Sequence, residues 1–294
     1  MDDNREPEER RTAEPTAWEA GDAKAWIAVP TADDDKYSRG VLGMVTGSAR
    51  YPGAAVLGAE AAARTGVGMI RYLGAPHATE QVLRRRPEIV SAPGRVQAWL
   101  IGSGMSADDR SDDDARRLAA ALDDGTPLVI DAGALDLVAR AAGPVVITPH
   151  YRELAVALAA AGGGAPTPGA EEIRADPGGW AERAAAALGV TVLLKGHTTH
   201  VVAPGRPRIT VTAGPAWLAT AGSGDVLGGV LGALVATHAA AVAEHGYDAL
   251  AALAATAAWV HGRAGESASQ GGPVVALDVA EAVPAVLRGL LAGS

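Results

Sequence analysis

Short apolar runs alternate with alanine-rich helical stretches along most of this chain, and that alternation limits its fold more than any other feature. Val41–Val45, Gly68–Leu73, Ala98–Ile101, Leu128–Ile130, Val145–Ile147 and Thr191–Leu194 are short and dominated by Val, Ile and Leu, as strands buried on both faces are. Between them lie helical patterns at Ala54–Thr65, closed by Gly66, at Asp112–Leu122, from near Glu153, and around Trp180–Leu188. Strand, helix, strand is the βαβ unit, so the expected class is α/β: a central, mostly parallel sheet with helices on both faces. His200–Val202 and Arg208–Val211, joined by Pro204-Gly205-Arg206-Pro207, read as a hairpin on that sheet. Helices at 225–243, at 247–269 and near the C-terminus fill the remainder.

Residues 1–35 stand apart. They mix Glu, Asp, Arg and Pro without sustained periodicity and end in Asp33-Asp34-Asp35, which predicts a mobile tail with a short docking segment around Trp26–Val29. The folded domain is expected over 36–294. With 48% hydrophobic residues its core is ample, but Phe is absent and aromatics are 4%, so Ala, Val and Leu must pack it through helices that approach closely. A net charge of −9 argues against a nucleic-acid groove, although a local nest of N–H groups can still take an anion. The lack of cysteine excludes disulfides, thiolate metal sites and a cysteine nucleophile. The acid-rich start has no apolar signal core and no run approaches a membrane span, so the expected protein is soluble and cytoplasmic.

The polar residues are placed with a regularity of their own. Asp131, His150 and Lys195 each fall at or just beyond the carboxyl end of an expected strand, the edge that borders the ligand crevice of an open α/β sheet. Ala219-Thr220-Ala221-Gly222-Ser223-Gly224-Asp225 then runs into the apolar Val226–Leu231. Such a segment describes a nest of backbone N–H groups at a helix N-terminus, where an anion is favoured. An aspartate there is poorly placed to bind phosphate and well placed to take a proton from a hydroxyl. A plain N-cap aspartate fits the segment equally. His150 reads as a substrate contact or as a helix-start residue, and Lys195 as a phosphate partner or a solvated strand end. Gly196 implies a close approach to the backbone. The remaining histidines, His261 among them, lack metal-ligand spacing and are expected at the surface or in packing. No P-loop, no G-x-G-x-x-G at the first βα turn and no nucleophile elbow is present, which leaves Gly222–Asp225 to handle phosphate.

In order and spacing, Val45-Thr46-Gly47-Ser48 with Tyr51-Pro52-Gly53-Ala54, Ile147-Thr148-Pro149-His150 with Glu153, Leu194-Lys195-Gly196, Ala219–Gly229 and Val260-His261-Gly262 resemble the ADP/ATP-dependent NAD(P)H-hydrate dehydratases of the ribokinase-like superfamily. The resemblance covers about residues 36–290. It implies cofactor repair: the S-epimer of hydrated NADH or NADPH is phosphorylated on its hydroxyl by ADP or ATP, and phosphate then leaves. It implies Asp225 as base, with Gly222, Ser223 and Gly224 holding the transferring phosphoryl. Ala54, Gly104, His150 and Asp225 would face the hydrate, and Lys195, Gly196, His197, Thr198, Thr199 and Gly224 the nucleotide. Magnesium is expected on the nucleotide phosphates with few protein ligands. Single-domain bacterial members usually take ADP. The resemblance also implies a homo-oligomer, as tetramers occur among relatives, and epimerase activity that is either absent or on a separate protein, since the tail is expected not to hold it.

Three segments depart from the family pattern. Gly102-Ser103-Gly104-Met105-Ser106 replaces Gly-Pro-Gly-Leu-Gly, Asp131-Ala132-Gly133 lacks the second acid of Asp-Ala-Asp, and Pro215-Ala216 replaces Asn-Pro. Two rivals remain open at this stage. One is a kinase of the same superfamily acting on a hydroxymethylpyrimidine or thiazole alcohol, and the other is a non-catalytic nucleotide-binding regulator.

Overall fold

A computed structural model describes residues 14–162 and 167–293. In chain order the elements are β1 (Thr16–Ala17), α1 (Ala20–Lys24), β2 (Val41–Val45), α2 (Pro52–Thr65), β3 (Met69–Tyr72), α3 (Pro76–Arg85), β4 (Ala98–Ile101), α4 (Asp112–Asp123), β5 (Leu128–Ile130) and β6 (Val145–Ile147). They continue with α5 (Tyr151–Ala161), α6 (Ala170–Ala175), α7 (Pro177–Leu188), β7 (Thr191–Leu194), β8 (Thr199–Val202), β9 (Ile209–Val211), α8 (Ser223–Thr237), α9 (Ala239–His245), α10 (Tyr247–Ser269) and α11 (Ala276–Ala292). The sheet runs β1-β9-β8-β7-β6-β5-β4-β2-β3, and only β8 opposes its neighbours. The expected α/β architecture and its hairpin are both present.

Two apolar cores flank the sheet. One gathers α2, α3, α8, α10 and α11 on one face; the other gathers α4, α5, α7 and the 3-10 stretch Ala132–Arg140 on the opposite face. Small residues let the first layer close tightly. A Cβ at Gly229 of α8 would overlap the carbonyl oxygen of Gly58 on α2, so these two helices cross backbone to backbone. This is how a core with so few aromatics reaches native density.

Chain order reverses between β2 and β4, since β3 lies on the outer side of β2. The loops after β2 and β4 therefore meet at a switch point, the usual place for a ligand crevice. The Gly47 N–H donates to the Ser103 carbonyl there at 2.7 Å.

Two expectations need correction. Residues 14–35 do not form a free tail, and their docking extends well beyond Trp26–Val29. β1 adds a parallel strand beside β9, Trp18 Nε1 donates to Thr256 Oγ1 on α10 at 3.2 Å, and Lys24 Nζ donates to the Leu291 carbonyl at 3.0 Å. Asp34 and Asp35 cap a turn, accepting from Thr31 N, Tyr37 N and Ser38 N at 2.7–2.8 Å. The first thirteen residues of the expected tail lie outside the described residues. The single helix expected over 225–243 is in fact α8 and α9, bent by 74° at His238, whose Nδ1 lies 2.9 Å from the Leu234 carbonyl. No single helix among the described residues is long and apolar enough to cross a membrane.

Candidate functional site

Asp131 ends β5, Thr148 follows β6 and Lys195 follows β7, so three adjacent strands deliver their polar ends to one point. Asp131 is almost fully buried and takes three hydrogen bonds: from Ser103 Oγ at 3.0 Å, Thr148 Oγ1 at 2.8 Å and Lys195 Nζ at 3.0 Å. Lys195 also lies 3.6 Å from Glu153 Oε2. Burial disfavours its charge, but Asp131 and Glu153 outweigh that and hold it above the ordinary lysine value.

His150 is the N-cap of α5. Its Nδ1 accepts from Arg152 N at 3.1 Å and Glu153 N at 3.2 Å, while the Glu153 carboxylate accepts from His150 N at 2.8 Å. This reciprocal box fixes both side chains before any ligand arrives. With Nδ1 used as an acceptor, the neutral ring carries its proton on Nε2.

Asp225 lies in the first turn of α8. Gly222, its N-cap, has φ +87°, a conformation that glycine adopts without strain. The N–H groups of Gly222, Gly224 and Asp225 find no acceptor among the described residues, whereas Ser223 N donates to the Thr220 carbonyl at 3.3 Å. The open donors at this turn are therefore those of Gly222, Gly224 and Asp225, while the Ser223 N–H is taken by Thr220. Burial, then the nearby Asp131 charge, pushes Asp225 up from 3.8 to about 7; Lys195 opposes this and Glu153 adds to it. Three carboxylates cannot all ionise freely around one ammonium, and Asp225 is the one that gives way.

A cavity of about 660 Å³ opens beside this turn. His150, Lys195, Gly196, His197, Thr199 and Gly224 line it, whereas Thr198 does not: its hydroxyl pairs with Thr212 Oγ1 at 3.0 Å. Its lining mixes polar groups, among them Lys195 and Ser223, with apolar Val211, Leu218 and Ala258. Its size and mixed lining suit a nucleotide. The close approach anticipated at Gly196 comes from the protein itself, because a Cβ there would meet the Tyr151 hydroxyl and the Thr198 carbonyl.

Ala54 and Gly104 are outside this cavity but beside each other. Gly104 has φ +67°, and a Cβ on it would overlap the Ala54 Cβ and crowd Gly47. Gly58, one turn along α2 from Ala54, faces the Asp225 backbone. Asp225 thus follows the cavity-lining Gly224 on one side and packs its backbone toward α2 on the other. The missing acid at Gly133 also has a cause: a Cβ there would overlap the Met105 backbone, so the altered Gly102–Ser106 loop occupies that space.

His261 was not anticipated here. Expected at the surface or in packing, it is nine-tenths buried, lines the cavity and contacts Ser223 Oγ at 3.1 Å. The sequence signal was present in Val260-His261-Gly262, but no spacing rule connects it to Ser223, on another helix.

Among the described residues no group of three or more His, Asp or Glu side chains is placed to hold a metal by itself. Hard carboxylate oxygens at Asp131, Glu153 and Asp225 suit Mg²⁺ in kind but not in coordination number, so an ion would depend on oxygens brought by its ligand.

Comparison with known proteins bears on this geometry. Residues 42–284 match a family model described as NAD(P)H-hydrate dehydratase. A bifunctional NAD(P)H-hydrate repair enzyme Nnr of Mycobacterium tuberculosis is 45% identical over 232 residues, which is 75% of this chain and 46% of that protein. The chain thus spans about half the length of such curated relatives. An ADP-dependent (S)-NAD(P)H-hydrate dehydratase of Neisseria meningitidis serogroup B is 33% identical, over 89% of this chain and 84% of that one. In structure, an ADP/ATP-dependent NAD(P)H-hydrate dehydratase from Bacillus subtilis, co-crystallized with ATP/Mg²⁺, superposes with a TM-score of 0.78 at 23% identity, covering 94% and 99% of the two chains. That likeness supports the ribokinase-like fold.

Proposed function

This chain belongs to the NAD(P)H-hydrate dehydratase family, and from that premise we propose that it restores NADH and NADPH from their S-epimer hydrates, consuming ADP or ATP. The observation that carries the reading is Asp225: a carboxylate poised at about 7, in the first turn of α8, beside backbone N–H groups with no acceptor among the described residues and next to the cavity-lining Gly224. A base acting near neutral pH needs such a value.

Hydroxide is a poor leaving group and phosphate a good one. In the proposed sequence the nucleotide occupies the cavity with its phosphates toward Lys195 and Gly224. The hydrate is assigned to Ala54, Gly104 and His150, with its hydroxyl at Asp225. Asp225 takes the proton of the ring hydroxyl as the hydroxyl oxygen attacks the terminal phosphorus. The N–H groups of Gly222, Gly224 and Asp225 stabilise charge gathering on the transferred group. Phosphate then departs from the ring carbon with the C–O bonding pair, and a proton is lost from the neighbouring ring carbon, whose C–H pair forms the double bond of the dihydronicotinamide. Mg²⁺ fits as an ion carried on the nucleotide phosphates, where it would neutralise their charge; Asp131 and Glu153 supply the negative field that attracts it. ADP is the expected donor, and the epimer supply is assigned to an epimerase activity.

The test is direct. NADH hydrate incubated with the protein, Mg²⁺ and ADP or ATP should regain dihydronicotinamide absorbance, with AMP or ADP and phosphate released. Recovery with neither nucleotide, together with a stable phosphorylated product from an alcohol substrate, would replace this reading with that of a kinase.

A further inference from the structure

Ser223 is in an unusual position within the nest. Its backbone N–H is turned to the Thr220 carbonyl at 3.3 Å, so the one donor it can still offer a ligand is its hydroxyl. That hydroxyl lines the cavity and has a single partner among the described residues, His261 Nε2 at 3.1 Å. His261 comes from the middle of α10 and is itself part of the cavity wall. Next to it, Gly262 packs against the Ala213 carbonyl with no room for a Cβ. No hydrogen bond joins the other ring nitrogen, Nδ1, to a side chain among the described residues.

We propose that His261 is a positioning residue for phosphoryl transfer: its imidazole holds the Ser223 hydroxyl so that this hydroxyl donates to the transferred phosphoryl group. The proposal rests on the phosphoryl-transfer reading above.

The hydroxyl has one hydrogen. If it is given to His261, none is left for a ligand; if Nε2–H donates to Ser223 Oγ instead, the hydroxyl hydrogen is free to turn into the nest. A phosphate oxygen is the stronger acceptor, because hydrogen bonds to a charged group are roughly twice as strong as neutral ones. An arriving phosphoryl group therefore selects the Nε2–H tautomer and leaves the lone pair on Nδ1. For this exchange the ring must be neutral. Burial, aided by the charge on Lys195, brings His261 down to about 4, so it is neutral throughout the working range. A donor is thereby supplied where the backbone of Ser223 fails to supply one.

The experiment uses the full chain and three variants, Ser223→Ala, His261→Leu and His261→Gln. Calorimetry compares the affinity for ADP alone with that for ADP plus aluminium fluoride, a mimic of the phosphoryl in flight, both with Mg²⁺. Steady-state turnover of NADH hydrate is measured alongside. For Ser223→Ala and His261→Leu we expect about a tenfold or greater loss of affinity for the fluoride complex, with ADP alone within about threefold of wild type. Turnover should fall roughly 10- to 100-fold at nearly constant KM, and the double variant should be no worse than either single one. His261→Gln, which returns an amide N–H to the place of Nε2, should regain most of the loss. Equal losses for ADP and for the fluoride complex would make His261 only a wall of the nucleotide site and overturn the proposal. So would an unaffected Ser223→Ala, which is small enough to fold even if His261→Leu does not. If wild type fails to dehydrate the hydrate, the activity reading falls, while the fluoride comparison still judges this pair.

Discussion

Replacing Asp225 by Asn should make the protein more stable and inactive at once, and the pH dependence of the gain is set by the site. In the fold Asp225 titrates near 7, against an ordinary value of 3.8. Below pH 4 the carboxyl is protonated in both the folded and unfolded chain, so it costs nothing. Between about pH 4 and 7 the unfolded chain ionises while the folded one holds its proton, so the unfolded state binds fewer protons and stability falls. At 1.36 kcal/mol per pH unit the accumulated cost has a ceiling of about 4 kcal/mol. Asp225 is only half-buried, and solvent screening brings the expected figure to roughly 2–3 kcal/mol. Above pH 7 both states are ionised and the penalty stays level. Asn has the same shape and no charge, so Asp225→Asn should match wild type at about pH 4 and below. The variant should already lead by about a third of that figure at pH 5, gain steadily to pH 7, then hold a constant lead of that size. Urea unfolding of both proteins at pH 5, 6, 7 and 8 measures this. The same variant should lose on the order of 10²–10⁴ in turnover, the contribution of a general base. Parallel stability curves across this range would show that the Asp225 carboxyl is not held neutral by its surroundings, and the argument for a base poised near 7 would fail with them.

Two further perturbations probe the frame that holds the site. Glu60 of α2 is fully buried and bound by Arg64 at 2.6 Å, Arg85 at 3.1 Å and Arg86 at 2.6 Å. Burial alone would raise it, but hydrogen bonds from Arg86, Arg85 and Arg64 hold it at about 2, down from 4.5. Its stabilisation is thus complete above pH 4.5 and is lost as pH falls toward 2. Glu60→Gln should cost roughly 3 kcal/mol at neutral pH in thermal or urea unfolding and flatten the acid limb of the stability curve. Gly104→Ala places a Cβ on Ala54 at a φ of +67°. It should destabilise by roughly 1–3 kcal/mol and raise the KM for the hydrate while nucleotide affinity, read by calorimetry, is unchanged.

What could be read from the sequence was local. The strands Ala98–Ile101, Leu128–Ile130, Val145–Ile147 and Thr191–Leu194 agree with the observed residues because a strand buried on both faces must be apolar throughout, and glycine, proline and polar groups mark its ends. For the same reason Asp131, His150 and Lys195 could be placed at carboxyl ends before any tertiary contact was known. Gly222-Ser223-Gly224-Asp225 likewise announced a helix start with open donors. The docking of Trp18 on Thr256 could not be read, because a lone aromatic in an acid-rich segment has no period and its partner is far away in the chain. Nor could the break at His238, within an unbroken apolar run. The site's chemistry lies in the same category. Asp225 is shifted by burial and by Asp131 and Glu153, and the Ser223 hydroxyl is held by a histidine of another helix. Patterning along the chain determined which residues reach the crevice. Their charge and the direction of their hydrogens depend on neighbours brought together only when two helical layers close over the sheet.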